Sequence, residues 1–298
     1  QLSHWYAGFG YQYVHADQHG LAFSSSSKMV FSHDGGISFS NNGGTTIGTR
    51  TKGYNTLQFY TVGVAPTTAF SGDEYFLAGA QDNGTLLISD AAAGVNSFVE
   101  AQGGDGAYSF FDQDGTDQYL ITNYVYNQGI RLYDYNTSAW RTINSENTRN
   151  GDFINPEELD SSLDILYSNY SSGSNYIIRR YTNIKPGGSA VSAKNLTNAL
   201  MTAAPSAFKI SPFTTNKSNL FVGLKNGELL KLLLKHNFDG LLTGDKNLQH
   251  QQNFAKYPIP VIVLDTKYIT YPSLKKLVPQ ILTLLDNDIP VGPNIVQG

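Results

Sequence analysis

Over the first three quarters of the chain, apolar and polar residues alternate in short runs. "LAFSS" (21–25), "KMVFS" (28–32), "LQFYTVGV" (57–64), "EYFLAGA" (74–80), "QYLITNYV" (118–125) and "NYIIRRYT" (175–182) are rich in β-branched and aromatic residues. Between such runs stand turn signals: "HDGG", "NNGG", "DNGT", "GGDG", "DQDG" and "PGG". Dense short strands separated by Gly, Asn and Asp predict an all-β sandwich, barrel or propeller. No stretch from 1 to 190 has a helical period. A repeat selects among the three. "KMVFSHDGGISFSNNGGTT" (28–46), "EYFLAGAQDNGTLLISDAAAG" (74–94) and "SNLFVGLKNGELLKL" (218–232) share one plan of strand, Asx-Gly turn and strand. Glycine there supplies the positive φ of a tight hairpin. One hairpin recurring every 40–60 residues or so is the mark of propeller blades.

From about residue 224 the period changes. "GELLKLLLKHN" (227–237) predicts a helix with Leu229, Leu230, Leu233 and Leu234 on its apolar face. "FDGLLTGD" (238–245) predicts a short strand, and "KNLQHQQNFAKY" (246–257) a second helix. "PIPVIVLD" (258–265) predicts an apolar strand. "YPSLKKLVPQILTLLDN" (271–287) predicts a helix that Pro279 should bend or interrupt. This alternation is that of a parallel α/β unit. The expected organisation is therefore a mainly β chain. Four-stranded propeller blades occupy 1–223, and a small α/β segment occupies 224–298. About four to five blades of 40–50 residues fit the first part. An incomplete ring would expose strand edges, so a partner chain that completes the propeller is expected.

Composition reinforces the division. All arginines and both tryptophans precede residue 224. The 298 residues are 40% hydrophobic and 15% charged, with a net charge of −4. No basic stripe favours nucleic acid, and no apolar run is long enough for a bilayer span. Absence of cysteine excludes disulfides and thiolate metal sites. A start at Gln1 without a leader reads as a processed or partial chain.

The ordered motifs carry a resemblance. "SNNGGTT" (40–46) looks like an Asp-box turn of sialidase-type BNR propellers, with Asn42 in place of the usual aspartate. "VHADQHGLAF", "FSHDGGISFSNNGG", "LQFYTVGV", "AGAQDNGT" and "GGDGAYSFFDQDGTDQYLITNY" follow in an order that resembles BNR-like propellers related to sortilin and to xyloglucan-degrading glycosidases. The likeness spans about residues 10–135 and extends more loosely to 223. It implies a secreted or cell-surface protein of bacterial type that binds a polysaccharide or protein ligand, or a glycoside hydrolase of the xyloglucanase-like type. The last part resembles the C-terminal region of PIN-like predicted toxin–antitoxin nucleases. That likeness implies a Mg²⁺-dependent ribonuclease with Asp245 at a strand end. The acidic first strand of that family is absent here.

Candidate chemistry centres on "HADQH". On a straight strand His15, Asp17 and His19 share one face, with the two histidine Cα atoms about 13 Å apart. One metal reaches Asp17 with either histidine but not both. As a polar framework, the three would instead tie blade loops together. Glycosidases need two carboxylates, about 5 Å apart for retention or 6.5–9.5 Å for inversion. Asp17 and Asp34 are the catalytic candidates, with His15, His19, Asp82 and Asp105 as ligand-binding candidates. Asp112, Asp114 and Asp117 offer alternating oxygens of the kind that suits calcium. Ca²⁺ or Mg²⁺ is thus the cofactor to consider. Exposed tyrosines such as Tyr11, Tyr13, Tyr60, Tyr108, Tyr124 and Tyr126 are candidates for stacking on sugar rings.

Overall fold

The computed structural model describes the chain except residues 7, 54–56, 71–73, 94–97, 214–215 and 225; for 226–229 and 251 only the backbone is described. A short parallel pair, β1 (Ser3–His4) and β2 (Gln12–Tyr13), precedes four successive four-stranded antiparallel sheets. The first is β3 (Gln18–Phe23), β4 (Met29–His33), β5 (Gly36–Ser40) and β6 (Gly48–Thr49). The second is β7 (Phe59–Val64), β8 (Phe76–Ala80), β9 (Gly84–Ile88) and β10 (Val99–Gln102). The third is β11 (Ser109–Phe111), β12 (Tyr119–Thr122), β13 (Ile130–Asp134) and β14 (Ala139–Asn144). The fourth is β15 (Glu157–Asp160), β16 (Ile165–Asn169), β17 (Ile178–Thr182) and β18 (Ser192–Leu196). A two-stranded sheet follows, β19 (Ala207–Ile210) with β20 (Leu220–Gly223). Within each sheet the strands pair in chain order, and the first strands of neighbouring sheets lie together, β7 beside β11 and β15 beside β19. These are propeller blades.

Side-chain alternation makes the blade stack. Tyr119, Leu120 and Ile121 on β12 are all buried, yet they serve two cores. Tyr119 and Ile121 pack with Leu132, Leu166 and Tyr181 toward the fourth blade. Leu120, on the opposite face, packs with Leu77, Phe70 and Phe111 toward the second. A strand apolar on both faces can serve two layers at once because successive side chains point to opposite sides. Tyr167 and Ile178 meet Phe208 to seat the last pair. The outer ends differ: β3 is exposed along its whole length, and Phe221 on β20 is 65% exposed.

The 40–46 turn is held by its own side chains. Asn42 Oδ1 accepts the Thr46 N–H at 2.8 Å and the Ser40 hydroxyl at 3.0 Å. Asn42 Nδ2 donates to Thr46 Oγ1 at 2.9 Å, and Ser40 Oγ accepts the Gly44 N–H at 2.9 Å. Asn42→Ala strips several bonds at once and is expected to cost about 1–2 kcal/mol. Asn42→Asp keeps both bonds to Oδ1 and should stay within about 0.5 kcal/mol of wild type. Thermal melts of the two variants check this.

The C-terminal part comprises α1 (Asn226–Lys235), β21 (Leu241–Thr243), α2 (Leu248–Gln251), β22 (Pro260–Asp265), α3 (Tyr271–Leu285) and β23 (Gly292–Gln297). The three strands form a parallel sheet in chain order. Val261 and Val263 pack with Leu230 and Leu233 of α1, whereas Ile262 and Leu264 pack with Leu277 of α3. Leu229, expected on the apolar face of α1, has its side chain outside the described residues. Four expectations change here. "KNGELLKL" continues as helix from Asn226, so the third hairpin copy is not a hairpin. The helix expected over 246–257 is a single turn. α3 runs through Pro279 without interruption. β23 is an additional strand, and its Pro293 lies where the sheet ends and no further partner needs its missing N–H. Among the described residues no helix is long and apolar enough to cross a membrane.

Candidate functional site

Two hairpin turns on adjacent blades place aspartates side by side. In the first blade His33 pairs with Gly36, so Asp34 and Gly35 form the β4–β5 turn. In the second, Ala80 pairs with Gly84, and Asp82 sits in the β8–β9 turn at φ 58°. Asp and Asn tolerate this left-handed conformation better than most residues. A third aspartate, Asp17, takes φ 53° where the chain enters β3. Carboxylate oxygens of Asp17, Asp34 and Asp82 all lie within 4.8 Å of one another.

Histidines tie this group to its blades. The straight strand expected through "HADQH" does not form, since β3 starts at Gln18 and the left-handed Asp17 turns the chain just before it. His15 and His19 therefore reach different blades. The His15 Nε2–H donates to the Asp82 carbonyl at 2.6 Å, and its ring stacks on His33 at 5.6 Å with 13° between planes. Gly35 permits this, because a Cβ there would lie 2.4 Å from the His15 ring. His19 pairs with the Asp34 carboxylate. Asp105, at the entry to the third blade, accepts the Asp82 N–H at 3.0 Å.

The neighbours pull the two turn aspartates apart in proton affinity. The His19 hydrogen bond holds Asp34 below the usual carboxylate range, and His19 is raised in return. Burial, then the nearby Asp34 and Asp105, push Asp82 up to about 6. His33 is lowered by burial, and its Nε2 meets Ser38 Oγ at 2.9 Å.

The Asp82–Asn83 turn is a ridge between two clefts. One, of about 570 Å³, is lined by His19, Asp34, Tyr60, Gln81 and Asp82 among others. The second, of about 670 Å³, is lined by Trp5, Tyr6, Tyr13, Tyr124, Asp17 and Asp105 among others. Trp5, Tyr6 and Tyr13 are each more than half exposed. Of the tyrosines singled out from sequence, Tyr13, Tyr60 and Tyr124 line these clefts. Tyr108 instead packs near Phe110 and Tyr126 edge-on to Phe153. Trp5 and Tyr6 were not anticipated, and the one signal for them was an aromatic run with no apolar partner pattern around it. Three carboxylates this close can also meet one hard cation, which takes oxygen ligands.

The other candidates lie elsewhere. Asp112, Asp114 and Asp117 belong to the β11–β12 loop, where Asp117 turns away to Lys185 Nζ at 2.6 Å. Asp245 follows β21 and accepts the Asn247 N–H at 2.9 Å. Asp265, at the end of β22, pairs with Lys246 Nζ at 2.5 Å, which lowers its proton affinity. Glu228, a second acidic residue of this C-terminal part, has its side chain outside the described residues. Among the described residues, Asp245 is in no group of three potential metal ligands.

No protein-family model matches the chain, and no curated protein matches it. Among solved structures, it is similar to an ancestral GH74 enzyme at 13% identity and a TM-score of 0.41, covering 70% of this chain and 29% of that one. It is also similar to the WD40 repeats of RRP9 at 10% identity and a TM-score of 0.35, covering 63% of this chain and 53% of the other. The chain thus spans less than a third of the first and about half of the second.

Proposed function

We propose that the paired clefts on the first two blades bind a polysaccharide. The observation that carries this reading is the meeting of aromatic faces with a carboxylate group. Tyr60 stands on one side of Asp17, Asp34 and Asp82, and Trp5, Tyr6, Tyr13 and Tyr124 on the other. Sugar rings present apolar C–H faces that stack on aromatics, and hydroxyls that donate to carboxylates. A cleft running past both sides of a ridge suits a chain rather than a compact ligand. Such a ligand lies outside the cell, which supports a secreted or cell-surface location of bacterial type. Affinity electrophoresis against a polysaccharide panel that includes xyloglucan tests the proposal. Wild type should be retarded by at least one polymer, and Tyr60→Ala and Trp5→Ala should each weaken this by about tenfold or more. Folded protein that no polymer retards would sink it.

A second reading, hydrolysis, is favoured by the opposed proton affinities of Asp34 and Asp82. Asp82, raised to about 6, would be the general acid and Asp34 the ionised partner. Their nearest carboxylate oxygens lie within 4.8 Å, closer than the separation of about 6.5–9.5 Å that inversion needs. Reducing-end release should then fall as pH rises through about 6, when Asp82 loses its proton. Asp82→Asn should abolish release while the polymer still retards the protein.

A further inference from the structure

A second acidic group lies at the seam of the third and fourth blades, in the β11–β12 loop. Asp112 is fully buried, and among the described residues neither of its carboxylate oxygens has a well-aligned hydrogen-bond partner. Its polar neighbours are Asp114, the Tyr119 hydroxyl and the Ser161 hydroxyl, the last supplied by the fourth blade. Ser161 Oγ also accepts the Gln113 N–H at 3.0 Å, so it sits directly against this loop. Asp114 Oδ1 takes the Thr116 N–H and hydroxyl, both at 2.7 Å, and its carboxylate also faces Asp112 and the Asp117 N–H.

The seam's cation is already engaged. Lys185 Nζ binds Asp117 at 2.6 Å and Asp164 at 2.7 Å. Tyr119 donates its hydroxyl to Asp164 Oδ1 at 2.9 Å. Among the described residues, neither Asp112 nor Asp114 has an ion pair. A buried carboxylate without a counter-charge is costly, and burial with Asp114 nearby raises its proton affinity. A divalent cation removes that cost by balancing both charges at once. All available ligand atoms are hard oxygens on two loops, a set that suits calcium, which tolerates irregular cages, better than magnesium.

We propose that Asp112 and Asp114, with the Ser161 hydroxyl, form a calcium site that staples the third blade to the fourth. The third sequence candidate, Asp117, is not a ligand in it, and the fourth blade provides the missing oxygen. Calcium bound there joins a loop of one blade to a loop of the next and stabilises the seam without adding apolar contact.

Tyrosine-sensitised terbium luminescence tests this, because Tyr119 stands beside the site. The double variant Asp17→Asn/Asp82→Asn serves as background, because it leaves only one of the three carboxylates that meet in the cleft. Terbium emission that calcium displaces is expected there. It should fall about tenfold or more when Asp112→Asn or Asp114→Asn is added. Calcium at a hundredfold excess over its Kd should raise the melting temperature by about 5–10 °C in the background and not in these variants. Both changes preserve side-chain shape, and Asp114 is exposed, so folding is retained and circular dichroism confirms it. The absence of calcium-displaceable emission would overturn the proposal. So would emission and a melting shift that both added variants leave unchanged.

Discussion

Gly79→Ala is expected to loosen the seam between the second and third blades and lower the melting temperature by about 6–12 °C. A Cβ on Gly79 would lie 2.1 Å from the Ala107 carbonyl oxygen and 2.8 Å from the Gly106 carbonyl carbon. These are backbone atoms, so no side chain can rotate away. Gly106 has no room either, since its Cβ would stand 2.2 Å from the Gly84 carbonyl oxygen. The Gly106 N–H donates to the Ala80 carbonyl at 2.9 Å, and that bond fixes the approach. Overpacking typically costs about 1–3 kcal/mol, and contact with fixed backbone puts this case at the top of that range or above. In a domain of this size each kcal/mol moves the midpoint by about 2–4 °C. The same seam carries the Asp105–Asp82 bond, so polysaccharide retention should weaken together with stability. A circular-dichroism melt decides the matter. An unchanged midpoint would mean that the two backbones do not approach this closely.

Glu157→Gln is expected to stabilise the protein in alkali and do little in acid. Glu157 opens β15 and is 1% exposed. Its Oε1 accepts from the Ser168 hydroxyl at 2.8 Å and the Asn123 amide at 3.3 Å, whereas Oε2 has no partner among the described residues. Burial pushes its carboxyl up to about 8. The folded protein therefore holds a proton that the unfolded chain releases near pH 4.5. Stability is fully present below that value and declines as pH rises toward 8. The decline is on the order of 1.4 kcal/mol per pH unit, with that slope as an upper figure. Glutamine keeps the shape and has no proton to lose. Melts of both proteins from pH 4 to 9 should coincide at the acid end and diverge above pH 5, with the variant the more stable. Asp82 and Asp112, also shifted upward, are common to both and cancel in the difference. Parallel curves across the whole range would show that Glu157 is ionised in the fold.

The blade pattern was legible because it is local. Strands of four to six residues, with Asx-Gly turns between them, follow from period-2 alternation and from the positive φ that Gly36 and Gly84 adopt. The apolar strand at 260–265 and the helix at 271–285 were legible for the same reason. Local pattern failed where two periods overlapped. "KNGELLKL" suits a hairpin or a helix, and burial of Leu230 and Leu233 against Val261 and Val263 favours the helix. β23 was not anticipated: it begins with Gly292 and Pro293, residues poor in strands, although a parallel edge strand tolerates both.

What the sequence by itself determined is the kind of element and the order of the blades, since turn chemistry and side-chain period act between near neighbours. It also marked Asp17, Asp34, Asp82 and Asp105 as residues of interest. Which of them meet was decided only by tertiary structure. His15 and His19, four positions apart, diverge to different blades, whereas Asp34 and Asp82, forty-eight positions apart, come together at adjoining turn tips. Asp112 and Asp117, five apart, likewise part company, one facing Ser161 and the other Lys185. The cause is geometric. A propeller brings equivalent turns of successive blades side by side, so its sites are built from residues one blade-length apart, a separation that local periodicity cannot register.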